Sequence, residues 1–491
     1  MTSRFTKPIF TLVAVAMAQL GQAQFSGQVS EYEFLPQRIY ANPALRPSGK
    51  LNIGFPGLSN VYLEHNNNWF RPSQILQSDA NGNATLDAAQ ILAGIDKAAT
   101  TSAGFGLEIL HVGLRIKKHY FHVRVAERTQ FEISLPRDIF VLAVHGNVGH
   151  NEFENNTADF SDLAVNGIHF REYAVGYNYQ WNDRLSVGLT AKYLYGMERV
   201  FTRESSLQLR TDPNTYALET SGAFLVNTAG IYGTFTEDAV GIHDDIPNYL
   251  FGLNNHGMAF DFGAVYEPID KLKIQISAHD LGFIRWRSDV ATYGTTDANF
   301  AFNGIDLTEF IFQTGVEYDD ALDAEVQNLL DDLENVYQFE RSTESFRTAL
   351  NGFFRYGASY ELYNTESFRG SVWTNLHHGI GQSVVPTRFA VGYNQSLWRV
   401  LQGGVHYSKQ FGSQGFLGAG LSVQAGFFQL YCLVENLQFL QLTQINLIDP
   451  DNNEERTELI YPSNASDIRI QVGMNLVFGR KTDKRGAPMM R

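Results

Sequence analysis

Between residues 468 and 478 apolar and polar side chains alternate almost without a break. Ile468, Ile470, Val472, Met474, Leu476 and Phe478 are separated by Arg469, Gln471, Gly473 and Asn475, and only Val477 departs from the rule. Successive side chains of a strand point to opposite faces, so this strand carries one oily face and one polar face. It exceeds the usual length of roughly 5–6 residues and matches the ~9–11 residues that a tilted strand needs to cross a bilayer. The pattern is that of the closing strand of a barrel with lipid outside and a polar interior.

The same pattern recurs along the chain. Tyr173, Val175, Tyr177, Tyr179 and Trp181 alternate with Ala174, Gly176, Asn178 and Gln180. A tight Asn182-Asp183 turn follows, and then Leu185, Val187, Leu189, Ala191, Tyr193 and Tyr195 alternate with small or polar residues. Two such runs across a two-residue Asn/Asp loop signal a hairpin. Further strands are expected over 107–116, 121–133, 139–148, 200–209, 216–228, 260–266, 274–278, 354–362, 372–376, 389–397, 400–411, 417–425 and 428–434. Together they predict an all-β chain, a transmembrane antiparallel β-barrel of roughly 14 strands. Such a barrel is wide enough for an internal plug or a channel. In 417–425 one face holds only Gly418, Gly420, Ser422 and Gln424, which leaves room in the lumen.

The N-terminus reads as an export signal. Arg4 and Lys7 give a basic start, Ile9 to Leu20 an apolar stretch, and Gly21-Gln22-Ala23 the small residues of a cleavage site after Ala23. The expected organisation is a signal peptide over 1–23, one barrel over 24–479 that includes a plug-like segment at about 24–104, and a basic periplasmic tail over 480–491. No later run of 18 apolar residues suggests a membrane helix. The 43 Gly, 23 Tyr and 36 Phe suit a barrel, with Gly for coiling strands and aromatics for interfacial girdles. The formal charge of −15 becomes two units more negative once Arg4 and Lys7 are removed, which argues against a nucleic-acid partner. Cys432, the single cysteine, excludes an intramolecular disulfide and sits in a strand pattern as a small hydrophobe.

Three stretches depart from the pattern. Residues 28–60 are rich in Pro, Gly and Asn. Residues 87–99 read as a short helix. Residues 319–335 are acidic, with helical spacing of Ala321, Val326, Leu329, Leu330 and Leu333, and suit a rim helix that could dock an outer-membrane protein partner. Catalytic chemistry is not indicated. His243-Asp244-Asp245 lies in a loop pattern without a nucleophile, and the adjacent His377 and His378 would point to opposite faces of a strand. No metal-ligand spacing or cofactor-binding motif is present.

Two passages carry a family resemblance. Tyr40-Ala41-Asn42-Pro43-Ala44-Leu45-Arg46-Pro47 is similar to the N-terminal segment of FadL-like barrels, which enters the lumen as a plug. The block from His256 to Trp286, with the terminal Asn475-Leu476-Val477-Phe478-Gly479, resembles a family of Bacteroidota outer-membrane proteins of unsettled function. The resemblance spans nearly the whole mature chain and implies a FadL-like or PorV-like barrel in the outer membrane of a Gram-negative bacterium. It brings no catalytic residues. Asn42, Pro43 and Ala44 are therefore the candidate plug. Asp280 and Gly282, which interrupt the alternation after Ala278, are a candidate strand kink or lateral opening. The expected function is a plugged, non-enzymatic channel for a small apolar solute, seated among outer-membrane lipid. The alternative is an accessory subunit of an outer-membrane complex.

Overall fold

The computed structural model describes residues 27–69, 71, 76–78, 84–86, 88–148, 150–230, 254–297, 299–302, 327, 331, 344–365, 367–380, 387–398, 400–411, 415–448, 456–462 and 466–479. The export signal and the basic tail expected from sequence lie outside these residues.

Among the described residues fourteen strands close into one antiparallel transmembrane barrel. The first, β1, runs Leu51–Gly54 and resumes as Val61–Asn67. Then follow β2 (Ala98–Ile116), β3 (His119–Pro136), β4 (Ala164–Gln180), β5 (Leu185–Ser205), β6 (Asn255–Ile269) and β7 (Leu272–Trp286). The second half comprises β8 (Phe353–Asn364), β9 (Phe368–Gly379), β10 (Arg388–Leu397), β11 (Leu401–Gln410), β12 (Gly415–Ala425), β13 (Phe428–Val434) and β14 (Asp467–Phe478). Both halves of β1 pair with β14 on one side and β2 on the other, which closes the ring.

The alternation of β14 is realised in space. Arg469, Gln471, Gly473 and Asn475 are buried and face inward, while Ile468, Ile470, Val472, Met474 and Leu476 are only partly covered. Elsewhere Leu114, Val123, Val175, Leu189, Phe262, Ile276, Val391 and Leu430 are exposed on the outer face. That much apolar surface would be a liability in water and is what lipid requires. At one end the strands join through tight turns that place Lys117, Lys271 and Gly426 at positive φ. Long excursions fill the other end. They include a four-stranded sheet of Thr157–Asp159, Gln208–Thr211, Leu218–Ser221 and Phe300–Phe302, and a hairpin of Leu442–Ile448 with Arg456–Pro462.

The wall is uneven in height. β2, β3, β4 and β5 have 19, 18, 17 and 21 residues, whereas β10, β11 and β12 have 10, 10 and 11. β6 is extended by a piece distant in sequence. Asn255–Ile269 pairs with the lower part of β5, and Phe224–Ala229 takes over as the partner of its upper part. Phe224–Ala229 in turn pairs with Val290–Thr295, which continues β7.

Four expectations change. Residues 139–148 are not a strand: a helix, α1 (Arg137–His145), occupies most of them. Pro136 cannot donate to a continuing ladder, and Ile139 to Leu142 are apolar without alternation. As a helix they bury Val141 against Leu92, Phe153 and Ala158. The strand expected at 200–209 is the upper end of β5 plus the outer strand Gln208–Thr211. The one expected at 216–228 is two pieces, Leu218–Ser221 and Phe224–Ala229. The helix expected at 87–99 is shorter, Ala88–Gly94, and β2 begins at Ala98.

Candidate functional site: the lumen and its N-terminal segment

Residues 28–49 run through the interior of the barrel. From Gln28 to Gly49 every residue except Glu33 is buried, and the segment makes two short 3-10 turns, Gly27–Glu31 and Pro36–Tyr40. The segment meets inward side chains around most of the wall. Gln37 exchanges hydrogen bonds with Asn475 on β14, 2.8 and 3.0 Å, and donates to Ser59 O at 3.0 Å. Gln429 on β13 donates to Phe34 O at 2.9 Å, and Arg355 on β8 to Ser30 Oγ at 2.7 Å. Tyr32 fills the space left by the small face of β12, where a Cβ at Gly420 would stand 2.3 Å from Tyr32 Oη.

Asn42, Pro43 and Ala44 lie in this segment, against β4 to β7. Asn42 Nδ2 donates to Ala264 O and Ile276 O, and its Oδ1 accepts from Ala44 N at 2.8 Å. Asn178 on β4 donates to Pro43 O at 3.0 Å. The approach depends on two missing side chains: a Cβ at Gly188 would stand 2.2 Å from the Pro43 carbonyl, and one at Gly263 2.0 Å from Asn42 Oδ1. Ala44 and Leu45 pack on Val265. The lumenal segment ends well before residue 104, because from Leu51 the chain is in the wall. Residues 55–60 interrupt the alternation of β1 and conceal it from a sequence pattern. They form an outward bulge in which Phe55 and Leu58 are exposed and Gly57 has φ +71°.

Above the segment's Tyr40, toward the long-loop end, a row of buried charges crosses the inner face of β2 to β7. Tyr40 donates to Glu108 on β2, and the Arg124 guanidinium lies 4.1 Å from the Tyr40 ring centre. Arg124 pairs with Glu172 on β4. Arg128 meets Glu172 at 3.2 Å and Asp280 at 2.8 Å; Lys192 on β5 meets Asp280 and Asp261, each at 2.7 Å. Charges taken out of water persist where partners surround them.

Asp280 is also a point of irregularity in the wall. Its φ is +53°, and the β6–β7 register shifts between Phe260 and Phe262. Lys273, Gln275, Ser277 and His279 face inward before it, and Gly282, Ile284 and Trp286 after it, so the bulge changes the phase of the strand. The irregularity holds the segment too: Ser277 Oγ donates to Ala41 O at 3.1 Å, and His279 Nε2 lies 3.0 Å from the same oxygen. On its other edge β7 pairs with Phe346–Ala349 above and with β8 from Phe353 below, leaving a break opposite 280–281, at whose upper edge Leu350 N donates to Gly282 O at 3.0 Å. Gly282 is pressed against β6, where a Cβ would stand 2.1 Å from Met258 O.

Toward the long-loop end the lining turns apolar. Phe170, Leu194, Ala259, Ile284, Trp286 and Val290 form one buried cluster, with Ile168, Phe346 and Leu350 against it. Trp286 Nε1 donates to Thr348 Oγ1 at 2.8 Å, which satisfies its one polar atom.

The charged row was not singled out from sequence. Its signal is there in hindsight: Arg124, Arg128, Glu172 and Lys192 each fall on the polar parity of a strand whose other parity is apolar. Of the remaining candidates, His377 and His378 do face opposite sides. His377 packs edge-on against Phe353, with ring centres 4.3 Å apart, and His378 Nδ1 lies 2.7 Å from Thr387 Oγ1. His243-Asp244-Asp245 lies outside the described residues. Of the acidic stretch 319–335 only Gln327 and Asp331 are described, both helical, with Gln327 donating to Asp331 at 2.8 Å. Cys432 is exposed on the outer face.

The chain belongs to the family described as "Family of unknown function (DUF5723)", which it matches over residues 43–435. No curated protein matches the sequence. Similar solved structures include the Pseudomonas putida toluene transporter TodX, 9% identical, with 94% of this chain and 100% of that one covered at a TM-score of 0.41. A Pseudomonas aeruginosa FadL homologue is 11% identical, with coverages of 91% and 94% and a TM-score of 0.38. The translocator domain of the autotransporter NalP from Neisseria meningitidis is 7% identical, with coverages of 92% and 100% and a TM-score of 0.33.

Proposed function

We propose that this chain is an outer-membrane channel for a small apolar solute, with the axial route closed by its own N-terminal segment as a plug. By the rule for such barrels, the tight turns face the periplasm and the long excursions the outside. The observation that carries the reading is the position of the apolar cluster. Phe170, Ile284 and Trp286 face the lumen on the outer side of the charged row, and Leu350, which packs on them, lies in the break between β7 and β8. An apolar solute entering from outside meets this cluster first. The charged row and the polar plug below it offer no favourable contact, so the solute leaves sideways through the break at Asp280 and Gly282 into lipid.

The two routes can be told apart. In a Cys432→Ser background, Ala44→Cys with Val265→Cys allows the plug to be tethered to β6 by a short bismaleimide. Uptake of an apolar fluorophore such as 1-N-phenylnaphthylamine into proteoliposomes should be unchanged by the tether. It should fall about fivefold or more when Ile284→Glu places a charge in the apolar cluster. Loss of uptake on tethering, with Ile284→Glu folded and active, would mean that the solute travels along the axis and that the lateral reading is wrong.

A further inference from the structure

A second place in the lumen has the opposite chemistry. Between the plug and the lower parts of β6 to β11 lies a cavity of about 200 Å³. It is bordered by Glu31, Glu33 and Arg38 of the plug and by Lys273, Glu361 and Arg369 of the wall. Several of these charges neutralise each other. Glu33 pairs with Arg369 and, at 3.2 Å, with Lys273, and Arg369 meets Glu361 at 2.5 Å. Two do not take part in such pairs. Arg38 is 3% exposed, and its guanidinium donates to backbone carbonyls, Ser30 O at 2.8 Å and Arg46 O at 3.4 Å. Glu31 is 8% exposed, and its Oε1 accepts from neutral donors, Ser30 Oγ at 2.8 Å and Gln275 Nε2 at 2.9 Å.

Glu31 attracts Arg38, Arg355 and Lys273 at longer range, but a buried guanidinium and a buried carboxylate without a direct ion pair are each costly to keep, and more so beside an open volume. Ser30 stands between them, bonded to Arg38 through its carbonyl and to Glu31 through its hydroxyl, so they are separated by about one residue. On four residues that border the cavity a polar atom finds no partner in the protein, although that atom has no surface open to the cavity: Arg38 Nε, Gln275 Oε1, Asn394 Nδ2 and Gln402 Oε1. Each belongs to a residue more than nine-tenths buried. Two are donors and two are acceptors.

We propose that this cavity is a binding site for a small zwitterion of amino-acid size, its carboxylate held by Arg38 and its ammonium by Glu31. The size is appropriate: at roughly 30 Å³ per water, the cavity holds the equivalent of about seven waters. A planar guanidinium suits a carboxylate, and a carboxylate suits an ammonium. An apolar molecule gains nothing there. The site is separate from the apolar cluster and lies on the periplasmic side of the plug. Both key charges sit on the plug itself, so occupancy would favour the seated plug by mass action.

The test uses the full mature chain in detergent, titrated calorimetrically with glycine, L-alanine and γ-aminobutyrate, and with acetate, ethylammonium and glucose. Saturable binding of one or more of the zwitterions is expected, about tenfold or more tighter than acetate or ethylammonium, since each of those lacks one charged contact. Arg38→Gln and Glu31→Gln should each weaken zwitterion binding about tenfold, and Arg38→Lys less. Heat-modifiable mobility shows that the variants are folded. Absence of zwitterion binding, or glucose binding equally well, overturns the proposal. So does zwitterion binding that survives Arg38→Gln combined with Glu31→Gln. The proposal rests on a lumenal plug but not on the apolar route. If the Ala44–Val265 tether forms and no zwitterion binds, only this inference fails. If each cysteine reacts singly with a maleimide and yet no tether forms, the segment is not seated against β6 and both readings fall.

Discussion

Deleting residues 27–47 will convert a closed barrel into an open one. Single-channel conductance in planar bilayers should rise by about tenfold or more, because a barrel of this strand number encloses more space than its inward side chains fill. The wall should survive the deletion. Its ladders do not use the segment, and β1 begins only at Leu51. The partners left behind, among them Glu108, Asn475 and Gln429, are polar and will be solvated by the water that enters. A folded deletion variant with unchanged conductance would show that the charged row and the apolar cluster close the lumen without the plug.

Asp280→Asn should destabilise the barrel by about 3 kcal/mol, the lower end of the cost of breaking a buried ion pair from one side. The carboxylate accepts from Arg128 at 2.8 and 3.0 Å and from Lys192 at 2.7 Å. The lower end applies because Glu172 still faces Arg128, and Asp261 still faces Lys192. Asn tolerates the left-handed backbone of this position, so the effect isolates the charge; Asp280→Ala adds strain on top. Urea unfolding from lipid vesicles measures the difference. Asp280→Asn combined with Arg128→Met should cost less than the two single changes added together, the mark of groups acting as a pair. A loss below about 1 kcal/mol for Asp280→Asn would mean that the row is solvated like surface charge.

Much of the wall is legible in the sequence because lipid imposes a strict rule on every second residue. The β4–β5 hairpin and β14 obey it, and both sit where their alternation puts them. Legibility fails where the chain serves something other than the wall. In β1, residues 55–60 bulge out of the ladder and split the strand into Leu51–Gly54 and Val61–Asn67, each shorter than the ~9–11 residues that signal a membrane strand. In α1, Ile139, Phe140, Val141 and Leu142 have strand-forming side chains, but their apolar face turns to other loops rather than to lipid. In β7 the bulge at Asp280 reverses the phase, so Ala278 and Leu281 both face out across a two-residue gap in the pattern. The charged row lay further from reach. Each member is an ordinary polar-parity residue on its own strand, and only the register of six strands brings Glu108, Arg124, Glu172, Lys192, Asp261 and Asp280 together. The block from His256 to Trp286, the most specific part of the family resemblance, contains two of them and the bulge.

The unequal strands have a consequence for how molecules reach this barrel. At ~3.3 Å per residue, the 21 residues of β5 extend roughly 70 Å along the strand, and the 10 residues of β10 about half that. Both start from the same plane of tight turns and share the same tilt. Among the described residues the upper edge of the strands is therefore a slope, with a tall screen over β2 to β5 and a low sill over β10 to β12. A mouth cut at such an angle looks along the membrane surface rather than away from it. On the proposed route, what enters is drawn from the layer lying on the membrane beside the sill, where apolar compounds are enriched, and the screen opposite, which carries Phe170 and Leu194, is the first thing it strikes.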